Sequence, residues 1–256
     1  MRLKRKRNLN KIVKKGKSLI IAYDQGLEHG PESDFNDKNV NPTYIIKIAK
    51  EGKFSALAVG KGIAEKYYKE IRKSKIPLIV KLSGKTKLFK GEPKSEQLGT
   101  VKEAIKLKAA GVGYTIHIGS KFEAEMLEDF SKIEKEAHKK GLAVMLWVYP
   151  RGKSIKNEFS REILSYSARV GLELGADIVK IKYNKNLSDL KWCVKSAGKT
   201  KVVVSGGKKE SPEEFLKEAK KIASSGAAGI AVGRNVWQSK KPIELSKELR
   251  KIILGK

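Results

Sequence analysis

The feature that most constrains the fold is a repeat of short apolar runs, each followed by a segment in which apolar residues recur at helical spacing. Most of the runs are continuous rather than alternating, which is typical of parallel strands buried on both faces. The runs predict eight strands, at Ser18 to Asp24, Ala56 to Gly60, Pro77 to Ser83, Gly111 to Gly119, Leu142 to Pro150, Asp177 to Tyr183, Lys201 to Gly207 and Gly229 to Asn235.

Eight strand–helix units in 256 residues predict an α/β fold, a single (β/α)8 TIM barrel that spans residues 1–256. A doubly wound sheet normally has fewer strands and a Gly-rich dinucleotide fingerprint after the first one, and no G-x-G-x-x-G is present. Residues 1–17 are expected to form a short basic N-terminal extension. The Lys-, Gly-, Glu- and Pro-rich segment from Gly84 to Gly99 is expected to be an exposed loop near the barrel mouth.

The charge of the chain invites a nucleic-acid interpretation. Lys and Arg total 56 against 28 Asp and Glu, a formal net charge of +28, and such a charge attracts polyanions. The excess is nearly all Lys, scattered among Glu residues, while Arg is sparse and aromatic residues make up 7%. Readers of nucleic acid rely on Arg and on exposed aromatics. We therefore expect nucleic-acid binding to be non-specific at most, and keep a nucleic-acid-associated protein as the alternative from another class.

The chain lacks the signals of membrane and secreted proteins. No apolar run approaches the roughly 20 residues of a transmembrane helix, and the basic start leads into Asn-Leu-Asn-Lys rather than into a signal-peptide core. We expect a cytoplasmic protein without a membrane partner. The lone Cys193 excludes an intramolecular disulfide and a multi-cysteine metal site. No cofactor is expected.

Active sites of such barrels lie at the C-terminal ends of the strands, and the sixth run places two lysines there. Its period of two puts Lys180 and Lys182 on one face, with Val179 and Ile181 on the other. If that face is the lumen, burial and the second ammonium lower the pKa of an amine, as imine formation with a ketone requires. Lys180, the deeper, is the expected nucleophile, and Lys182 is expected to bind an anionic substrate group. Alternatively, both lysines reach solvent.

The fifth run ends in a second polar cluster, because alternation places Trp147, Tyr149 and Arg151 on one face. A tyrosine hydroxyl beside lysines can donate or accept a proton during catalysis, so Tyr149 is a candidate acid or base. Trp147 fits a substrate contact and ordinary barrel packing equally well. Arg151 fits either a phosphate contact or an ion pair with a loop carboxylate.

Asp24 closes the first apolar run, where a carboxylate needs a partner. The lysine pair of the sixth run is the expected partner, and both acid–base work and a structural salt bridge remain open for Asp24. His29 lies on a Gly-rich loop and is expected to contact substrate. His117 is expected to pack or to support the site, and His138 to lie on a solvated helix face. Three dispersed histidines argue against a metal site.

The seventh and eighth runs end in Ser205-Gly206-Gly207 and in Gly233-Arg234. Glycines let backbone amides approach a ligand, and the segment from Arg234 can open a short helix. Loops after these two strands are the usual phosphate site of such barrels. A lone Gly-Gly would indicate a simple turn, but two Gly-bearing ends at this pair of strands favour phosphate binding.

Six motifs together resemble the archaeal-type class I fructose-bisphosphate aldolases, from about residue 15 to 250. The resemblance implies a (β/α)8 barrel, a Schiff-base lysine, no metal, a phosphorylated sugar substrate and a homo-oligomer. It implies Lys180 as the Schiff-base residue and Tyr149 as the proton donor, and substrate contacts at Asp24, Gln25, His29, Trp147, Arg151, Lys182, Ser205, Gly206, Gly207, Gly233 and Arg234. The motifs are Ala22 to Pro31, Gly62 to Tyr68, Trp147 to Gly152, Val179 to Tyr183, Ser205 to Gly207 and Val232 to Trp237.

Two positions depart from the pattern of that family. Gln25 stands where many relatives have His, and Lys208 stands where Pro is common, so both positions bear on substrate contacts. A sister group with the same barrel and lysine acts in aromatic amino-acid precursor synthesis, as 2-amino-3,7-dideoxy-heptulosonate synthases do. It is the alternative function, but Glu28 and His29 are more similar to the glycolytic aldolases. The expected reaction is the reversible cleavage of fructose 1,6-bisphosphate to dihydroxyacetone phosphate and glyceraldehyde 3-phosphate.

Overall fold

The computed structural model describes residues 2–88 and 90–255, without the side chain of Ser33. The strands are β1 (Ser18–Tyr23), β2 (Ala56–Gly60), β3 (Leu78–Lys81), β4 (Ser83–Gly84), β5 (Glu96–Gln97), β6 (Gly111–Ile118), β7 (Ala143–Pro150), β8 (Ile178–Ile181), β9 (Lys201–Ser205) and β10 (Gly229–Val232). The helices are α1 (Arg2–Ile12), α2 (Gln25–His29), α3 (Pro31–Asp34), α4 (Pro42–Glu51), α5 (Lys61–Lys66), α6 (Tyr68–Ser74), α7 (Val101–Lys106), α8 (Glu123–Lys140), α9 (Arg161–Glu173), α10 (Leu187–Ser196), α11 (Pro212–Ser224), α12 (Arg234–Trp237) and α13 (Pro242–Leu254).

Eight of these strands form a closed parallel barrel in the order β1-β2-β3-β6-β7-β8-β9-β10, with β10 pairing back to β1. The predicted (β/α)8 barrel is therefore confirmed, and each of the eight apolar runs contains one barrel strand. Sequence reasoning missed the small antiparallel pair formed by β4 and β5 inside the segment expected to be a loop. Two-residue strands are too short to show a period of two.

Burial on both faces explains why the strand sequences are continuously apolar. In β1, Ile20 and Ala22 pack in the barrel lumen, while Leu19 and Ile21 pack under the surrounding helices. The same alternation in β8 puts Ile178 in the lumen and Val179 outside. Lys180, two residues beyond Ile178, therefore faces the lumen, as predicted.

Helix α1 covers the N-terminal end of the barrel. The residues expected to form a basic extension include Leu9, Ile12 and Val13, which pack into the lumen cluster from below. Their spacing of three and four residues is helical and could have revealed this role despite the surrounding cations. None of the helices in the described part of the chain combines the length and apolar character that crossing a membrane requires.

An ion-pair cluster fixes α1 to the barrel. Arg5 Nη2 lies 2.7 Å from Asp177 Oδ1, and His138 Nε2 lies 3.0 Å from Asp177 Oδ2. The expectation that His138 lies on a solvated helix face was wrong, because its side chain is only 12% exposed and also contacts Glu134. The local sequence around His138 is charged, so only the approach of Asp177 from β8's entry turn makes the position buried.

Candidate active site

A cavity of about 440 Å³ opens at the C-terminal ends of the barrel strands. Every residue predicted for the site lines it except Trp147. The predicted residues on its wall are Asp24, Gln25, His29, Tyr149, Arg151, Lys180, Lys182, Ser205, Gly206, Gly207, Gly233 and Arg234. The wall also includes residues that sequence reasoning did not select, among them Glu28, Glu158, Phe159, Lys208 and Asn235.

Lys180 rises from the lumen into this cavity and is 5% exposed. Its ammonium position lies 5.6 Å from the centre of the Trp147 ring. Within residues 2–88 and 90–255, no carboxylate forms an ion pair with Lys180. A buried lysine without a paired carboxylate is unusual, and it leaves the amine accessible to a ligand in the cavity.

Trp147 lies beneath the cavity rather than on its wall. It is 1% exposed, and its ring occupies the space beside Gly113, where an added Cβ would come within 2.0 Å of the ring. Only glycine at this position of β6 therefore leaves room for the indole, which β7 carries into the lumen. Two lysines lie close to the ring, since Lys81 Nζ is 5.8 Å from its centre and Lys180 Nζ is at a similar distance.

Lys81 is the main functional candidate that sequence reasoning missed. Its Nζ donates a hydrogen bond of 2.8 Å to Asp24 Oδ2 and a second one to Glu28. Asp24 and Glu28 are four residues apart at the start of α2, so both reach the same lysine. Asp24 was expected to pair with Lys180 and Lys182, but its ion pair is with Lys81, while the charge of Lys180 also acts on Asp24. The signal was present, because Lys81 follows the lumen residue Ile79 by two positions.

The close contacts among Asp24, Glu28 and Lys81 determine which of these groups are ionised. Burial raises the pKa of Asp24, but the charges of Lys81 and Lys180 lower it more, to about 2. Burial lowers the pKa of Lys81, but Asp24 and Glu28 offset this and raise it above the ordinary lysine value. At neutral pH the cluster therefore contains an ionised Asp24 and a permanent ammonium at Lys81.

Lys182 lies nearer the mouth and is held by the loop after β7. It forms an ion pair with Glu158, and its Nζ lies 5.1 Å from the centre of the Phe159 ring. Burial lowers the pKa of Lys182, an effect that Glu158 opposes and Arg151 adds to. Lys180 and Lys182 thus differ in their surroundings, because Lys182 has a carboxylate partner and Lys180 does not.

Tyr149 faces the cavity between a histidine and an arginine. The His117 ring stacks on it at 6.4 Å, and the Arg151 guanidinium lies 5.0 Å from its centre. Burial, and after it the charges of Arg151 and Lys85, lower the pKa of His117 to about 3. His117 is therefore a neutral support at physiological pH, and its Nε2 lies 3.1 Å from the Ser95 hydroxyl.

His29 and Arg234 are held on opposite sides of one buried carboxylate. Asp34 Oδ2 lies 2.6 Å from His29 Nδ1, and Asp34 Oδ1 lies 3.2 Å from Arg234 Nη1. Asp34 is 6% exposed, so its pairing fixes where both side chains enter the cavity.

The Gly-bearing ends of β9 and β10 meet at one edge of the cavity. Asn235 Nδ2 donates to the carbonyls of Gly206 at 2.7 Å and of Lys208 at 2.8 Å, which ties the β9 loop to α12. A Cβ on Gly206 would lie 3.1 Å from the Val232 backbone. Helix α12 begins at Arg234, as predicted. The N–H of Gly207 has no hydrogen-bond partner in the described part of the chain, so it can serve a ligand.

This arrangement suits an amine nucleophile acting on an anionic carbonyl compound. It combines the unpaired Lys180, the hydroxyl of Tyr149, an ionised Asp24 and a cationic rim. Across residues 2–88 and 90–255, no group of three or more His, Cys, Asp or Glu side chains is placed to hold a metal ion.

Comparison with protein-family models matches residues 18–239 to the DeoC/LacD family aldolases. The chain belongs to this aldolase family. The class 1 fructose-bisphosphate aldolase of Thermoproteus tenax is 45% identical over 95% of this chain and 92% of that protein. The 2-amino-3,7-dideoxy-D-threo-hept-6-ulosonate synthase 1 of Archaeoglobus fulgidus is 32% identical over 99% of this chain and 92% of that protein.

Solved structures agree with the family assignment. An archaeal fructose-1,6-bisphosphate aldolase, with its catalytic lysine covalently bound to the carbinolamine intermediate of the substrate, matches this fold with a TM-score of 0.91. The two chains are 42% identical over 97% of this aldolase and 99% of the solved chain. The resemblance to the archaeal-type class I aldolases is thereby confirmed.

Proposed function

We propose that this aldolase reversibly cleaves fructose 1,6-bisphosphate to dihydroxyacetone phosphate and glyceraldehyde 3-phosphate by a Schiff-base mechanism that needs no metal. The observation that carries the proposal is a lysine, Lys180, that is 5% exposed, faces the cavity and has no carboxylate partner in the described residues. A phosphorylated sugar substrate is supported by the bisphosphate aldolase whose intermediate has been solved.

In the first step, the Lys180 nitrogen attacks the ketone carbon of the substrate and forms a carbinolamine. Loss of water gives a protonated imine, which is an electron sink. The base that removes the proton of the C4 hydroxyl is Asp24 or water held by it, since Asp24 is ionised at neutral pH. The C3–C4 bonding electrons then move into the iminium, which yields an enamine and releases the aldehyde.

In the second half of the cycle, Tyr149 protonates the enamine carbon, and hydrolysis of the imine frees Lys180 and the ketose fragment. Tyr149 lies on β7 and Lys180 on β8, which are neighbouring strands. The contacts of His117 and Arg151 with the Tyr149 ring support this role because they restrict the tyrosine side chain.

Lys81 supports the nucleophile indirectly. It binds both carboxylates that could otherwise pair with Lys180. An amine paired with a carboxylate is held as an ammonium and cannot attack a ketone. We therefore assign Lys81 a positioning role, in which it keeps Asp24 and Glu28 away from the nucleophile.

Two cationic regions suit the two phosphates of the substrate. One phosphate is proposed to bind at Ser205, Gly206, Gly207, Gly233 and Arg234, where glycines expose the backbone. The other is proposed to bind near Lys182 and Arg151 on the opposite rim. Gln25 and His29 are proposed to contact the sugar hydroxyls, while Trp147 shapes the cavity from beneath.

The alternative function is heptulosonate synthesis, which uses the same barrel and lysine chemistry. The higher identity to the Thermoproteus tenax aldolase than to the Archaeoglobus fulgidus synthase favours fructose bisphosphate. Side-by-side assays of fructose 1,6-bisphosphate cleavage and of heptulosonate formation distinguish the two functions. In a substrate panel, fructose 1,6-bisphosphate should be cleaved at least about tenfold more efficiently than unphosphorylated ketoses, because these lack the charge-assisted phosphate contacts.

Trapping with borohydride tests the nucleophile. Reduction in the presence of dihydroxyacetone phosphate should leave a covalent adduct on the peptide that contains Lys180, read by mass spectrometry. The Lys180→Met variant should lose the adduct, whereas Lys185→Met, at an exposed lysine of the loop after β8, should retain it. An adduct on Lys182 would overturn the assignment, and loss of activity with EDTA would overturn the metal-independent mechanism.

The resemblance also implies a homo-oligomer, and we propose that this aldolase assembles through the face formed by α9 and α10.

A cytoplasmic location is proposed as well, because doubly phosphorylated sugars do not cross membranes unaided. Nucleic acid is proposed to bind only non-specifically through the scattered lysines. A gel-shift titration with salt tests this, and tight binding at about 0.15 M salt would contradict it.

A further inference from the structure

A second cavity, of about 340 Å³, lies at the opposite end of the barrel from the candidate active site. Its wall comes from the segments that lead into β1, β2 and β3, three neighbouring strands, and from the last turns of α13. The residues that line it are Lys14, Lys15, Lys17, Lys50, Lys53, Phe54, Ser55, Lys75, Ile76, Pro77, Arg250 and Leu254. The topology therefore brings four separate chain segments together at one place.

The charged residues of this second cavity, which we call the basal cavity, are all positive. Seven of its twelve lining residues are Lys or Arg, and none is acidic. None of the seven forms an ion pair in the described part of the chain, whereas lysines elsewhere on the surface, such as Lys61 and Lys94, pair with glutamates. Cations gathered without counter-charges repel one another, so a bound anion stabilises the arrangement.

Three lysines of this cavity adopt a backbone conformation that is strained for any residue with a side chain. Lys15, Lys53 and Lys75 have φ angles of 50°, 52° and 60° in the left-handed region, where glycine is the unstrained residue. All three precede a barrel strand and line the basal cavity. Lys108 and Lys185 share this conformation outside the cavity, but the three lysines here each add a positive charge to the same cavity.

The floor of the basal cavity is apolar. Phe54, Ile76, Pro77 and Leu254 lie among the lysines on its wall, and apolar surface next to a bound anion reduces its contact with water. Charge–charge attraction is stronger where water is excluded. The volume falls in the range of small-molecule sites rather than of an open groove for a duplex. Lysine ammonium groups are point charges that suit phosphate oxygens.

We propose that the basal cavity binds a compact polyanion with two or more adjacent phosphate groups, such as a triphosphate chain. The ligand chemistry is shared by inorganic triphosphate, by nucleoside triphosphates and by a strand of nucleic acid. A volume of about 340 Å³ favours the compact forms. The proposal does not rest on the proposed aldol reaction, because the cavity lies at the other end of the barrel.

Calorimetric titration of the whole protein with inorganic triphosphate at about 0.15 M salt tests the proposal. Wild type should bind one equivalent at the basal cavity, besides any bound at the phosphate positions of the candidate active site. The triple variant Lys14→Gln, Lys53→Gln, Lys75→Gln should bind the basal equivalent at least about tenfold more weakly, as the loss of three charge contacts predicts. A matched triple variant, Lys102→Gln, Lys191→Gln, Lys217→Gln, removes the same charge from three outer helices and should change the affinity by less than about twofold.

Further arms separate the sources of the anion. Arg234→Ala weakens any triphosphate binding at the phosphate position of the candidate active site, whereas binding at the basal cavity should not depend on this residue. Equal weakening by the two triple variants, weakening of the basal equivalent by Arg234→Ala, or no binding at this salt would overturn the proposal. A single-stranded oligonucleotide that binds more tightly than triphosphate, and that the basal variants weaken, would overturn the compact ligand in favour of a nucleic-acid strand.

Discussion

Lys81 shows how one buried side chain sets the chemistry of its neighbours. Its ammonium is hydrogen-bonded to Asp24 at 2.8 Å and is paired with Glu28, and it lies close to the same Trp147 ring as Lys180. The nucleophile is therefore surrounded by groups whose charges are already matched. A lysine that reacts needs neighbouring carboxylates to be engaged elsewhere.

Replacement of Lys81 by Met should slow imine formation more at low pH than at high pH. The freed carboxylates then pair with Lys180, so borohydride trapping should reach half its maximum about one pH unit higher, the change expected from a new interaction of roughly 1.4 kcal/mol. The measurement is the pH profile of trapping, with circular dichroism to confirm folding. Lys81→Arg should restore much of the profile, and Lys85→Met should leave it unchanged; a uniform loss at all pH values would argue for a purely structural role.

Helix α1 is joined to the rest of the barrel through the side chain of Asp177. Asp177 accepts hydrogen bonds from Arg5 on α1 and from the Val144 amide, and it also contacts His138 on α8. Burial raises the pKa of Asp177, but the contact with His138 and the bond from Val144 lower it below its ordinary value. This carboxylate therefore joins the N-terminal helix, an outer helix and the barrel.

Asp177→Asn should lower the free energy of unfolding by about 2 kcal/mol at neutral pH, because hydrogen bonds to a charged group are lost. The stabilisation is fully present above the ordinary Asp pKa of about 4 and is lost as pH falls through the lower, folded-state value. Urea unfolding between pH 7 and pH 3 checks both statements. The variant should show a smaller loss of stability on acidification than wild type, and Asp37→Asn, on the surface, is the control. Parallel curves for variant and wild type would contradict the prediction.

At the scale of the whole molecule, the α9–α10 face is the proposed contact between copies. Tyr166 is 57% exposed and Trp192 is 41% exposed, and both line one shallow cavity between these helices. Arg161 and Lys195 flank the Trp192 ring at 5.4 and 5.8 Å. Exposed aromatic residues beside arginine are typical of protein interfaces.

The double variant Tyr166→Lys, Trp192→Lys should have the molar mass of a smaller assembly in light scattering. The reason is that an aromatic residue at the centre of an interface typically contributes about 2 kcal/mol or more to the binding free energy. Leu3→Lys is the matched control, because Leu3 is 83% exposed on α1, away from this face. Retention of the wild-type mass by the double variant would place the interface elsewhere.

The eight strands, the catalytic lysine candidate and the Gly-bearing loops could be predicted because each is a local pattern. Continuous apolar runs reflect burial on both faces, and the period of two assigns Lys180 to the same face as Ile178. Strand ends in a parallel barrel meet at one edge, so Tyr149 and Ser205 could be placed near Lys180 before any coordinates were known.

Only the tertiary structure decided the partners of the charged residues. The pairing of Lys81 with Asp24 spans 57 residues, that of Arg234 with Asp34 spans 200, and that of Arg5 with Asp177 spans 172. No spacing in the sequence records such pairs, since an ion pair depends on which strands become neighbours and how deep each side chain lies. The sequence by itself therefore determined the barrel and the face on which its chemistry lies, because backbone periodicity is local. Barrel closure decided which charges meet, because electrostatic energy depends on distance and burial in space.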